Sequence, residues 1–266
     1  MLLATSVSQI NVLIINDSAY MSTLLKDLIS SPAIQVCDIA RDGIEGLRKI
    51  ALRKPDVILL DLEMPRMDGV TFIEEMVKKG TLIPTILVSS FSQDGAKIVL
   101  DALENGAIDF VPISQVNPDG TGQLKETLIS KITGAAKCDP YKLVIEKIGS
   151  LRPKRKGIVS SQAATTVVTI ASSTGGPGIV QKILSGFPAD IKAGILVVQH
   201  MPKGFTQKFA ERLDEACEIT VREAKEGDLI TQGVALVAPG DLHMEVDANL
   251  KIKLIKMPPF HNVNLH

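Results

Sequence analysis

Ser173 lies in the stretch "TIASSTGGPGIVQKIL", residues 169–184, where an apolar segment runs into two serines, a threonine and glycines before a fresh helical pattern begins. A strand that stops abruptly and hands over to a helix holds a serine hydroxyl in the open, and the strained turn of such a nucleophile elbow calls for small residues two places to either side. Ser173 meets that requirement with Ala171 and Gly175, whereas Ser172 has Thr174 on its far side. Two other readings stay open: a purely structural turn, and a phosphate-binding turn at a helix N-terminus. A Walker-type loop would also supply a lysine, and "SSTGGPG" has none. A serine hydroxyl is a poor nucleophile without an adjacent base. His200 ends the strand-like "GILVVQH" and precedes Met201 and Pro202, which puts its imidazole at the same sheet edge as Ser173. His243, His261 and His266 show no metal-ligand spacing.

A second set of reactive residues sits earlier. Asn16 and Asp17 follow "NVLII", Asp61 ends "DVILLD", and Ser89 and Ser90 end "PTILVSS". Two carboxylates and a hydroxyl meeting at strand ends suit a divalent, oxygen-seeking cation and a phosphoryl group.

The elements that must position these residues follow from the hydrophobic pattern. Between residues 11 and 115, five short apolar runs alternate with helical periodicity. Such a pattern predicts a five-stranded parallel, doubly wound α/β sheet with right-handed crossovers. The runs are continuous rather than alternating, as expected of strands covered on both faces, and ligands of such sheets sit at the carboxyl ends of the strands. From 116 to 165 the pattern degrades into a loop, one helix at "LKETLISKITGAA" and the mixed "LRPKRKGIVSSQAATT", read as a linker helix and solvated tether. At 166 the α/β signal restarts and ends in the short strands "ITVREA", "GVALVAPG", "HMEV" and "KIKLIK", which read as hairpin-like. The expected domains are therefore 1–115, a linker 116–165, and 166–266.

Composition limits the function classes. The chain has 266 residues, 45% hydrophobic content and a formal net charge of −1, which fits a globular protein of two domains at about 150 residues each. Aromatic residues make up 3% and Trp is absent, which argues against base-stacking platforms and an aromatic membrane belt. No apolar run approaches the ~18 residues of a membrane span, and the N-terminus lacks a basic region before its apolar residues. Cys37, Cys138 and Cys217 are odd in number and lack metal-ligand spacing, so buried thiols in a reducing compartment are expected. The expected location is the cytoplasm, with no nucleic acid and no membrane insertion.

The first segment resembles the response-regulator receiver domain, most specifically in "DVILLDLEMPRMDG". The resemblance implies that Asp61 is the phosphoacceptor, that Asp17 and Asp61 bind Mg²⁺ with the backbone carbonyl of Glu63, that Ser89 is the switch hydroxyl, and that a chemotaxis histidine kinase is the phosphodonor. Two positions depart from the family pattern: Asn16 stands where the first of two acidic residues is usual, and Ile113 where a lysine is usual. The lysine normally pairs with the phosphoacceptor, so the site loses a cation.

The second segment resembles the chemotaxis protein-glutamate methylesterases of CheB type, in "ASSTGG", "VVQHMPKGFTQKFAERL" and "APGDLHMEV". In that family a receiver precedes a Rossmann-like α/β esterase, and the same order of segments stands here. The implied activity is a serine-type, cofactor-free hydrolysis of methyl esters on glutamates of methyl-accepting chemotaxis receptors, regulated by phosphorylation, with related deamidation of receptor glutamines. Carried over, Ser173 is the nucleophile, His200 the general base and acid, and Thr174 lines the site. The family's triad acid follows a Gly-Met-Gly stretch that these 266 residues do not contain. An incomplete esterase sheet and little turnover by this stretch alone are therefore expected. Asp214, Asp228, Asp241 and Asp247 are the remaining aspartates after the histidine, with Asp241 the first candidate stand-in. The alternative function is a non-catalytic two-component signalling protein.

Overall fold

The computed structural model describes residues 9–89, 95–113, 121–139 and 162–256. The chain divides into two compact units, 1–148 and 149–266.

In the first unit five strand–helix repeats follow one another: β1 (Ile10–Ile15), α1 (Ala19–Ile29), β2 (Ile34–Ala40), α2 (Gly43–Leu52), β3 (Val57–Leu60), α3 (Gly69–Lys78), β4 (Thr85–Ser89), α4 (Ala96–Glu104), β5 (Asp109–Pro112) and α5 (Thr121–Ala135). The strands form one parallel sheet in the order β2-β1-β3-β4-β5. Successive side chains of a strand point to opposite faces, and both faces are buried here. Val12, Ile14, Val57, Leu59, Ile86, Val88, Val111 and Ile113 join Leu25 and Ile29 of α1 and Leu128, Ile132 and Ala135 of α5 in one cluster. On the other face, α2 comes so close that a Cβ at Gly46 would lie 3.1 Å from the Phe72 ring. Three helices start on side-chain caps that accept orphan backbone N–H groups: Ser18 from Met21, Asp42 from Glu45 and Asp68 from Thr71.

Helix α5 departs from the sequence-based expectation, which placed it in the linker. Leu124, Leu128 and Ile132 recur every four residues and so share one face, and that face packs in the cluster with β4 and β5 strand residues. Lys131 of the same helix reaches Asp109 of β5, Nζ to Oδ2 2.7 Å, in a buried ion pair. The tether 140–161, where "RPKRKG" lies, falls outside the described residues.

The second unit holds β6 (Thr166–Ser172), α6 (Gly176–Ser185), β7 (Ala193–Gln199), α7 (Phe205–Ala216), β8 (Thr220–Glu223), β9 (Val234–Val237), β10 (His243–Val246) and β11 (Ile252–Ile255). Strands β6-β7-β9-β8 form a parallel sheet in that order. This corrects the hairpin-like reading of β8 and β9: apolar Val234–Val237 is buried at every position and sits centrally, between β7 and β8. Strands β10 and β11 pair antiparallel. Ile252 of that hairpin packs with Leu196, Val234 and Leu236 of the sheet. Cys217 is buried, but Cys37 and Cys138 are only half-buried, and none of the three is in a disulfide.

Candidate functional site

In the first unit the strand order reverses between β1 and β3, since β2 lies outside β1 on one side and β4 and β5 beyond β3 on the other. A crevice opens at the carboxyl ends of strands at such a switch point. Asn16 and Asp17 follow β1 there and Asp61 follows β3, with Asp61 N–H bound to Ile15 C=O at 2.9 Å. Ser89 ends β4 and hydrogen-bonds to the Asp61 carboxylate. Asp61 Oδ1 accepts the N–H of Leu62 at 2.7 Å and of Glu63 at 3.4 Å, while Oδ2 accepts Asn16 Nδ2 at 2.9 Å. Gly69 lets α3 press on this turn: a Cβ there would lie 2.9 Å from Leu62 Cα.

Burial pushes the Asp61 carboxyl above its ordinary range, and the nearby Asp17 charge adds to the rise. Hydrogen bonds from Ser89, Glu63 and Leu62 oppose it. Ile113, where a lysine would reach into the crevice, is apolar, 4% exposed and part of the core cluster, with its N–H on Ser89 C=O at 2.9 Å. Among the described residues no side-chain cation contacts Asp61. The structure thus brings Asp17, Asp61 and Ser89 together, with Glu63 exposed two residues beyond. Mg²⁺ binds through one or two carboxylates and keeps several waters, and the donor set of Asp17, Asp61 and the Glu63 carbonyl fits that pattern. It does not fit an all-protein cage, since no group of three or more His, Cys, Asp or Glu ligands occurs among the described residues.

In the second unit β6 and β7 pair in register up to Ser172↔Gln199. Ser173 and His200 are the next residue on each strand, and the ladder carries on through His200 N–H to Ser172 C=O at 3.2 Å. Ser173 is exposed and His200 half-buried. The chain then turns sharply. Ser173 C=O accepts Gly176 N–H at 2.7 Å and Gln199 Nε2 at 3.1 Å, and Gly175 takes φ +76°, a conformation that costs glycine nothing. The half-buried Thr174 sits within this turn. Helix α6 starts at Gly176 with no side-chain cap; of its first two residues, Gly176 has its N–H on Ser173 C=O and Pro177 has none. Gly176 faces Ser172 and Gln199; a Cβ there would overlap Gln199 Oε1 and lie 2.9 Å from Ser172 Cβ.

The two serines are placed differently. Ser172 Oγ donates to Gln199 Oε1 at 2.5 Å and turns inward, while Ser173 stands at the tip of the turn. Gln199 was missed from the sequence; its signal is a polar residue closing an otherwise apolar strand directly before His200.

Thr206 was missed as well. It is fully buried in the first turn of α7, donates Oγ1 to Glu223 Oε1 at 2.6 Å and accepts Gly240 N–H at 3.0 Å. The turn after β9 is thereby drawn onto the His200–Gly204 turn, and a Cβ at Gly240 would lie 2.6 Å from the Pro202 carbonyl carbon. Asp241, in that turn, is exposed at φ +66°. The other aspartates are engaged elsewhere: Asp214 on Val221 N–H, Asp228 on Arg222, Asp247 on Asn249 and Lys251 N–H.

Residues 12–114 match the response regulator receiver domain family, and residues 168–265 the CheB methylesterase family. A protein-glutamate methylesterase/protein-glutamine glutaminase of Pyrococcus horikoshii is 46% identical over 261 residues, covering 96% of this chain and 71% of that protein. One from Symbiobacterium thermophilum is 41% identical over 272 residues, covering 96% and 74%. The solved response regulator domain of Thermotoga maritima CheB is 38% identical and covers 50% of this chain and 99% of its own, with a TM-score of 0.46. No helix among the described residues is long and apolar enough to cross a membrane. Two family matches in one order, and that identity across nearly the whole chain, place it in the protein-glutamate methylesterase/protein-glutamine glutaminase family of CheB type.

Proposed function

We propose that this protein hydrolyses glutamate methyl esters on methyl-accepting chemotaxis receptors, with related deamidation of receptor glutamines, through Ser173 and His200. The observation that carries the reading is their placement one residue past the Ser172↔Gln199 pair, at the ends of neighbouring parallel strands. Such strands run about 4.8 Å apart, within range of a serine–imidazole pair. His200 takes the Ser173 proton as Oγ attacks the ester carbon, then returns it to the departing methanol. Water, activated by His200 in the same way, cleaves the acyl-enzyme to free glutamate and Ser173. The N-terminus of α6, beside Thr174, brings the positive end of the helix dipole to the developing oxyanion.

The first unit serves as the phosphorylation-dependent regulator. Asp61 takes a phosphoryl group from a chemotaxis histidine kinase, and Ser89, hydrogen-bonded to the same carboxylate, senses it. Asp17, Asp61 and the Glu63 carbonyl hold Mg²⁺, which supplies positive charge against the negative charge gathered between carboxylate and phosphate. The domains that follow are a receiver over 1–115, extended by α5, and an esterase from 166 onward.

Methanol release from methylated receptor by the whole protein tests the catalytic assignment. Loss of release in Ser173→Ala and in His200→Ala, with folding unchanged, is expected. Retention of release in Ser173→Ala overturns it.

A further inference from the structure

Asn16 does more than fill a position in the crevice. Its side-chain oxygen accepts Ser18 N–H at 2.9 Å. A backbone N–H requires an acceptor, so the amide oxygen is fixed on that side and the NH₂ must face Asp61 Oδ2, at 2.9 Å. The residue is pinned by its backbone too: its N–H binds Ala40 C=O at 3.0 Å, and its C=O accepts Ser22 Oγ at 3.4 Å. At 3% exposure it has little room to turn away. The other carboxylate oxygen of Asp61 is held by Leu62 N–H. With Ile113 in the core, the donors that Asp61 meets among the described residues are uncharged.

We propose that Asn16 is a positioning residue that keeps Asp61 in a closed resting state and competes with the divalent cation for it. The donor points its positive end at Oδ2 and offsets part of the repulsion between Asp61 and Asp17, the repulsion that otherwise draws a cation in. A cation shared by Asp17 and Asp61 has to displace this hydrogen bond or share its oxygen. The inference rests on the reading of Asp17 and Asp61 as the Mg²⁺ site. It adds that Asn16 weakens that site by acting as a donor, and is not a ligand to the ion.

Mg²⁺ titration of the whole chain by calorimetry tests this in wild type, Asn16→Ala, Asn16→Asp and an Asp61→Asn control. Removing the donor tightens Mg²⁺ about threefold, and a carboxylate at this distance from a divalent ion tightens it about tenfold or more. The expected order is Asn16→Asp tightest, Asn16→Ala next and wild type weakest. Asn16→Ala binding Mg²⁺ no better than wild type overturns the proposal. Should the variants fail to fold, the side-chain amide resonances of Asn16 in ¹⁵N-labelled wild type decide: they shift with the same Kd as Mg²⁺ saturation, and resonances that stay in place overturn it. Absence of Mg²⁺ binding in wild type and Asn16→Asp alike overturns the Mg²⁺ reading and this inference with it, whereas binding in the wrong order sinks this inference alone.

Discussion

Ser172 and Gln199 are locked together across neighbouring strands, Oγ to Oε1 2.5 Å, and the glutamine is fully buried. That bond separates the roles of two adjacent serines. Ser172→Ala strands a buried amide oxygen and is expected to cost about 1–3 kcal/mol. Ser173→Ala, at an exposed site, is expected to stay within about 0.5 kcal/mol of wild type while ending ester hydrolysis. Denaturant midpoints and methanol release on both variants of the whole protein check this; equal destabilisation by the two would count against it.

Gly176→Ala puts a methyl group into Gln199 Oε1 and Ser172 Cβ. Overpacking of this kind costs about 1–3 kcal/mol. Gly178→Ala serves as the control, since nothing lies within 4 Å of a Cβ there. Thermal midpoints of the two variants should part, Gly176→Ala falling and Gly178→Ala unchanged or higher.

The Asp61 carboxyl titrates above its ordinary range in the folded chain because burial disfavours its charge. The folded state therefore holds the proton more tightly than the unfolded state does. This contribution to stability is greatest below the unfolded pKa and is lost as pH rises through the folded one. With divalent ions chelated, Asp61→Asn should gain on wild type most at neutral pH, and the gain should shrink as pH falls into the carboxylate range. A difference in unfolding free energy that is flat with pH would sink the idea.

Lys131 and Asp109 form an ion pair of which 6% and 1% is exposed. Removing one partner leaves a buried charge, so Lys131→Met and Asp109→Leu are each expected to lose about 3–5 kcal/mol. The double variant should lose far less than the sum, because apolar side chains suit a site this deeply buried. A double-mutant cycle by urea denaturation measures the coupling, and additive losses would refute it.

Much of the first unit was legible because its strands are unbroken apolar runs such as "DVILL", which only a sheet covered on both faces accommodates. Strand order was not: the β1/β3 switch depends on which crossovers go left and right of β1, and no single residue encodes that. Helix α5 read as a linker helix because its sequence distance from β5 hid the pairing of Lys131 with Asp109, and β9 read as hairpin-like because a four-residue strand carries no mark of its partner's direction. In the second unit, the places of Ser173 and His200 just past the ends of neighbouring strands were legible. The hold on Ser172 was not, since it arises only when β6 and β7 come into register. Asn16 was visible as a departure in type, but its donor role depends on Ser18 fixing the amide from the other side.

Thr206 ties the start of α7, the end of β8 and the turn after β9 through a single hydroxyl that both donates and accepts. The turn holding Gly240 and Asp241 is irregular in outline, yet its anchoring amide sits where water does not reach. Its opening should follow the slowest, global events of this unit rather than the fast fraying usual for loops, so Gly240 N–H should be among the last amides to exchange with deuterium. If His200 acts as proposed, a substrate segment arriving beside it meets a stiff wall on the side of this turn.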